Sequence, residues 1–206
     1  MRIGTVGNGG MAAALGRHWV RAGHQVMIGG RDTGRAAETA GRIGAASGSL
    51  QEATSYGEVV LLAVPAEVVV ETVARLTIAP GTVLIDCTNA IEHSDFTLAH
   101  PATAEAIRKA VPHAHVVKAF NLAADTVWRA APQVFEGGPL GVPLCGDEPA
   151  AVECVAGLVR DLGCEPVPSG GLVRAALLEA TAAFAIGIWV NGGGDVRGLF
   201  PPVGAA

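Results

Sequence analysis

The stretch Gly7-Asn8-Gly9-Gly10-Met11-Ala12 has the spacing G-x-G-x-x-A, between an apolar run and an alanine-rich one. Glycine costs a strand or helix about 0.5–1 kcal/mol per position relative to alanine. Gly4, Gly7, Gly9 and Gly10 fall within one short segment, so the chain needs a local reason for them. Close approach of a phosphate to the backbone supplies one. Gly7 permits a tight turn, Gly9 lets the backbone approach a pyrophosphate, and Ala12 keeps a helix close to a sheet. The N-terminus of that helix adds free N–H groups and partial positive charge. The chemistry implied is dinucleotide binding.

Other residues fall where neighbouring strands should end. Gly30-Arg31 closes the second strand, with Arg35 one helical turn on. Two arginines suit a ribose 2′-phosphate through charge and a forked donor geometry, which points to NADP rather than NAD. Asp32 could hold a ribose hydroxyl instead, or cap the next helix. Ala63-Val64-Pro65, Thr88-Asn89 and Ala119-Phe120-Asn121 should reach the same crevice. Asn89 and Asn121 offer neutral amides to a ribose, a carboxamide or a substrate, or serve as caps.

Residues able to move a proton are few. His93 and His100 lie in the loop after one strand end, either near an acceptor or in solvent. His18 and His24 read as helix-surface and turn residues. His113 and His115 have a chelating spacing but no evident third ligand, so no metal site is expected, and no catalytic residue is assigned. Cys87, Cys145, Cys154 and Cys164 form no C-x-x-C pair and read as reduced, mostly buried thiols. Asp86 and Lys118 each precede a strand-end asparagine by three residues. They should stand level in adjacent parallel strands as a buried pair.

These residues need a frame, and punctuation by glycine and proline supplies it. Strands are expected at 2–7, 25–30, 58–65, 80–89 and 113–121, and helices at 10–23, 33–44, 66–77 and 103–111. The run EVVLLAVP is apolar throughout, as a parallel strand buried on both faces must be. A short strand or turn and a short helix fit 47–57. Residues 142–170 read as a further βαβ unit, 172–192 as a long apolar helix, and the tail from 194 as irregular. The fold class expected is α/β, a Rossmann-type doubly wound parallel sheet with a small C-terminal helical extension.

Composition narrows the function classes. The chain has 206 residues, half of them hydrophobic and 16% charged, with net charge −5 and lysine only at Lys109 and Lys118. No basic run exists to track nucleic acid. The run at 180–190 falls short of the ~18 residues a membrane span needs. A cytoplasmic protein without a signal peptide or nucleic-acid partner is expected. Its greasy late helix, with Phe184, Ile186 and Trp189, suits a homodimer.

The glycine stretch, the LLAVP and VVKAFN strand ends, and the block from Leu144 to Ala180 together resemble the coenzyme F420-dependent NADP oxidoreductase family. The resemblance covers most of the chain. It implies an NADP-binding Rossmann domain over 1–140. It also implies a smaller substrate-side and dimerisation portion over 141–206. The pyrophosphate would lie on Gly7, Asn8, Gly9, Gly10 and Met11, and the 2′-phosphate near Gly30, Arg31 and Arg35. Ala63, Val64 and Pro65 would edge the ribose and nicotinamide, with Asn89 and Ala119, Phe120 and Asn121 nearby. The activity implied is hydride transfer between NADPH and a deazaflavin, coenzyme F420, as co-substrate. Departures cluster on the acceptor side: Gly30 replaces a frequent serine, Ala66 an aromatic, and Ala90 a proline. Reduction of a ketone, imine, flavin or ferric chelate, and a non-catalytic NADP-binding sensor, are the alternatives.

Overall fold

A computed structural model describes residues 1–130, 134–135 and 137–192. The tail expected from 194 lies outside them. The elements run β1 (Arg2–Val6), α1 (Gly10–Arg21), β2 (Gln25–Gly29), α2 (Thr33–Ile43), β3 (Ala46–Gly48), α3 (Leu50–Tyr56), β4 (Val59–Leu62), α4 (Ala66–Ala74), β5 (Val83–Asp86), α5 (Thr103–Ala110) and β6 (His115–Lys118). There follow α6 (Asp125–Arg129), β7 (Val134–Phe135), β8 (Gly138–Pro139), β9 (Gly141–Gly146), α7 (Pro149–Arg160), β10 (Glu165–Pro168), a 3₁₀ turn (Leu172–Arg174) and α8 (Ala175–Val190).

One sheet holds eight strands in the order β10-β9-β6-β5-β4-β1-β2-β3. β1 pairs with β2 on one side and β4 on the other, so the winding reverses beside the glycine loop. Ligands bind at such a switch point, beyond the C-terminal strand ends. Each face of the sheet is covered. Leu15, Trp19, Ile28, Ile85 and Val155 belong to one core, and Val60, Leu62, Val73, Leu84 and Ile107 to the other. All four residues of β4 are buried, which explains its unbroken apolar sequence.

The sheet is not wholly parallel. β9 runs antiparallel to β6, pairing Lys118 with Cys145, and β10 lies parallel to β9. After β6, Phe120 packs edge-on between Trp19 of α1 and Trp128 of α6, with centroids 6.1 and 5.5 Å away. This cluster holds α6 against α1. A parallel return would need a crossover helix on the sheet face. β9 and β10 extend the same sheet, so residues 141–168 continue the layer that begins at β1.

The helical stretch Leu172–Val190 has 19 residues and a mean hydropathy of 1.6, long and apolar enough to cross a membrane. It therefore exceeds the shorter run expected from sequence. At its middle, Glu179 is fully buried against the sheet, while Leu177, Phe184 and Trp189 stay exposed.

Candidate dinucleotide and acceptor site

Gly7 has φ +122°, and a Cβ there would stand 2.3 Å from the Ala63 carbonyl oxygen. No other residue fits this turn. Its N–H donates to Gly29 across 3.0 Å, and its carbonyl accepts from the Thr5 hydroxyl at 2.8 Å. Gly9 caps α1 without any side-chain hydrogen bond, and a Cβ there would meet nothing within 4 Å. The space beside Gly9 at the start of α1 is therefore open, as a pyrophosphate cradle requires. The other two glycines answer to packing. A Cβ on Gly4 would lie 2.0 Å from the Ala53 carbonyl oxygen, and one on Gly10 2.1 Å from Asp125 Oδ2.

A cavity of ≈370 Å³ opens beside this turn, lined by Gly7, Asn8 and Gly9, by Gly30 and Arg31, and by Ala63, Val64 and Pro65. Asp32 is spent as the N-cap of α2, accepting from the Arg35 N–H at 3.1 Å. That leaves exposed Arg31 as the charged group of the strand end, with Arg35 exposed on the first turn of α2. A Cβ on Gly30 would come within 2.8 Å of Asn8 Nδ2, so the Asn8 amide fills the space a serine would take. Arg75, paired with Glu71 on α4, lines the same cavity. Its i,i+4 spacing from Glu71 was the only signal the sequence offered.

At the other end of the glycine loop, a cavity of ≈440 Å³ is lined by Gly10, Met11, Cys87, Asn89, Asn121 and Asp125, with Ala123 and Ala124. The two asparagines bind each other. Asn89 Nδ2 donates to the Asn121 carbonyl at 2.7 Å, and Asn121 Nδ2 to Asn89 Oδ1 at 2.9 Å. Asn121 also donates to the Leu178 carbonyl at 3.1 Å, tying the strand end to α8. Ala119 and Phe120 are fully buried behind this wall. Phe120, at φ +63°, packs its ring between the two tryptophans. Cys87 donates its thiol to the Leu62 carbonyl, and burial first, then the Asp86 charge, pushes its pKa up to about 12. It is a neutral thiol rather than a nucleophile.

A third cavity, ≈360 Å³, shares Asn89, Asn121, Ala123 and Ala124 with the second and is closed by Ala182, Ala185, Ile186 and Trp189 of α8. Behind it lies the predicted pair. Asp86 and Lys118 are level in the sheet, and Lys118 Nζ sits 2.9 Å from Asp86 Oδ2. The lysine also reaches Glu179 Oε1 at 3.0 Å and the Thr88 carbonyl at 2.5 Å. All three charged side chains are fully buried. Glu179 accepts from the Thr103 and Ala104 N–H groups, so it caps α5 as well. Burial opposes the lysine charge, but the two carboxylates outweigh it and hold the Lys118 pKa above its ordinary value.

The histidines distribute differently from their sequence reading. His93 and His100 are exposed in the loop after β5 and line none of these three cavities. His18 is buried rather than on the helix surface, with Nε2 2.9 Å from the Trp128 carbonyl oxygen, because α6 covers that face of α1. Burial, aided by the Arg21 and Arg17 charges, holds its pKa below the usual value against that hydrogen bond. His24 faces Asp161 at 2.8 Å. Among the described residues no cluster could hold a metal ion, and no disulfide joins the cysteines.

Residues 2–90 match the family model described as NADP oxidoreductase, coenzyme F420-dependent. The metalloreductase STEAP3 of Rattus norvegicus is 29% identical over 180 residues, 87% of this chain but 36% of its own length. The chain thus spans little more than a third of that relative. The hypothetical protein SMa0349 of Sinorhizobium meliloti is 28% identical, with a TM-score of 0.73 over 85% of this chain and 86% of that one. A candidate F420-dependent NADP reductase from Arthrobacter sp. FB24 shares the fold, with a TM-score of 0.78 and 22% identity over 93% of this chain and 94% of that one. The matched residues 2–90, which carry the glycine turn, Gly30-Arg31, Val64-Pro65 and Asn89, are similar to the coenzyme F420-dependent NADP oxidoreductases.

Proposed function

We propose that the chain transfers hydride between NADPH and a planar acceptor of the deazaflavin kind, coenzyme F420 being the family's own. The observation that carries this reading is the continuity of the cleft. The Gly9 cradle leads past Met11 to the paired asparagines, which also form the rim of the apolar cavity under α8. NADP would lie with its 2′-phosphate at Arg31, its pyrophosphate over the start of α1 and its nicotinamide toward Asn89 and Asn121. The dinucleotide supplies the hydride. The protein's part is to hold two rings face to face and exclude water, and orientation of this kind accounts for much of such a rate. Among the described residues lining the second and third cavities, the titratable ones are Asp125 and the neutral Cys87. A reaction that needs no proton at the moment of hydride transfer fits that lining.

Two further features belong to the same proposal. The outer face of α8 exposes Leu177 and Phe184 by more than half, and a second copy of the chain would cover it. Four cysteines without a disulfide among the described residues suit the reducing cytoplasm.

The test is NADPH oxidation with deazaflavin, flavin, ferric-chelate, ketone and imine acceptors. Deazaflavin turnover is expected, and His93→Ala and His100→Ala should keep it within a few-fold, since loss of a true general acid costs ~10²–10⁴-fold. Ketone or imine turnover that collapses in either variant would replace this reading. Tight NADPH binding with no acceptor reduced would make the protein a sensor.

A further inference from the structure

The glycine loop offers N–H donors to a pyrophosphate, but it carries no cation. From Gly7 to Ala12 there is no lysine or arginine, and the first on α1 is Arg17. A carboxylate stands there instead: Asp125 Oδ2 is 2.1 Å from where a Cβ on Gly10 would be. Left alone, it would repel a doubly charged pyrophosphate. Arg129 offsets it. The guanidinium pairs with Asp125, and its Nη2 lies 3.2 Å from the same Gly10 point.

We propose that Arg129 is a pyrophosphate-binding residue, tethered at the start of α1 by Asp125; this rests on the NADP reading above. A guanidinium has five donors in a fixed fork, and Asp125 engages Nη2, leaving others for a phosphate. Its side chain is 56% exposed, so those donors are accessible. Its backbone is held firmly. The neighbouring Trp128 is buried against Phe120, donates from Nε1 to the Ala123 carbonyl at 3.0 Å, and has its own carbonyl bonded to His18 of α1. The aromatic cluster after β6 therefore delivers a cation to a loop that lacks one.

Calorimetric titration with two ligands tests this. NADP⁺ carries both phosphate groups, and 2′-AMP carries only the one assigned to Arg31. Arg129→Met should weaken NADP⁺ binding about tenfold or more, and leave 2′-AMP within twofold. The double variant Asp125→Asn/Arg129→Met removes the stranded carboxylate and should still bind NADP⁺ weakly. NADP⁺ affinity within twofold of wild type in either variant would overturn the assignment, as would an equal loss for 2′-AMP. Failure of the wild type to bind NADP⁺ at all would instead sink the hydride-transfer reading, and the assignment with it.

Discussion

At Gly7 the cleft is shaped by a missing side chain, since any Cβ would strike the end of β4. At Glu179 it is shaped by three buried charges that pin α8, and with it the wall of the apolar cavity, to the sheet. The dinucleotide end is thus built from local backbone geometry, within one β-turn-α unit. The proposed acceptor end is built from contacts among β5, β6, α5 and α8, far apart in the chain. The N–H groups and room a phosphate needs come from a short segment, while its counter-charge is proposed to come from Arg129 of α6. An acceptor pocket needs a wall held at a set distance, which takes long-range interactions. Substitutions at the two ends should therefore fail differently.

The largest effect is expected at the charge cluster. Removing one partner of a buried pair typically costs ~3–5 kcal/mol, because a charge is stranded. Lys118→Ala should lower the denaturant midpoint correspondingly, and in the cold, where it still folds, it should raise the acceptor KM before it weakens NADPH binding. A Lys118→Ala protein of wild-type stability without hydride transfer would make the lysine catalytic and erase the contrast.

At the opposite end, Gly9→Val should remove detectable NADP⁺ binding in calorimetry while leaving thermal stability close to wild type. The open space beside Gly9 accepts a side chain but then denies it to the phosphate. A large loss of stability would show that Gly9 serves packing, as Gly4 does.

Arg31→Ala sharpens the comparison within the dinucleotide end. A hydrogen bond to a charged group is worth ~1.5–3 kcal/mol, so NADPH affinity should fall by that amount in a fluorescence titration, with NADH little changed. Equal losses for both would remove the 2′-phosphate from Arg31, leaving Arg75 as the nearest candidate.

The smallest effect concerns His18, at the join between α1 and α6. Its folded pKa is depressed, so the unfolded chain takes up the proton more readily. Its stabilising contribution is complete above the ordinary histidine pKa of about 6.5 and declines as pH falls below it. Melting temperatures between pH 7.5 and pH 5.5, about one unit either side of that value, should fall more for wild type than for His18→Asn. Identical pH slopes would show that the histidine does not titrate with folding.

Much of this was legible in the residues. The β-α order, the turn at Gly7, the crevice at the ends of β1, β2, β4 and β5, and the level placement of Asp86 and Lys118 follow from periodicity and glycine spacing. These are local properties, or they follow from parallel strands ending at one height. The tertiary structure decided the remainder. Nothing in the spacing of Phe120, Trp19 and Trp128 announced that they would stack, yet with that cluster α6 lies on α1, where it covers His18 and brings Arg129 to Gly10. Glu179 reads as one acid on an apolar helix until packing brings it to Lys118. Asp32 was ambiguous because ribose binding and helix capping ask for the same carboxylate, and only the backbone direction at α2 chose the cap. Sequence pattern records which face of an element must leave water; which residues then meet is settled by how those faces close on one another.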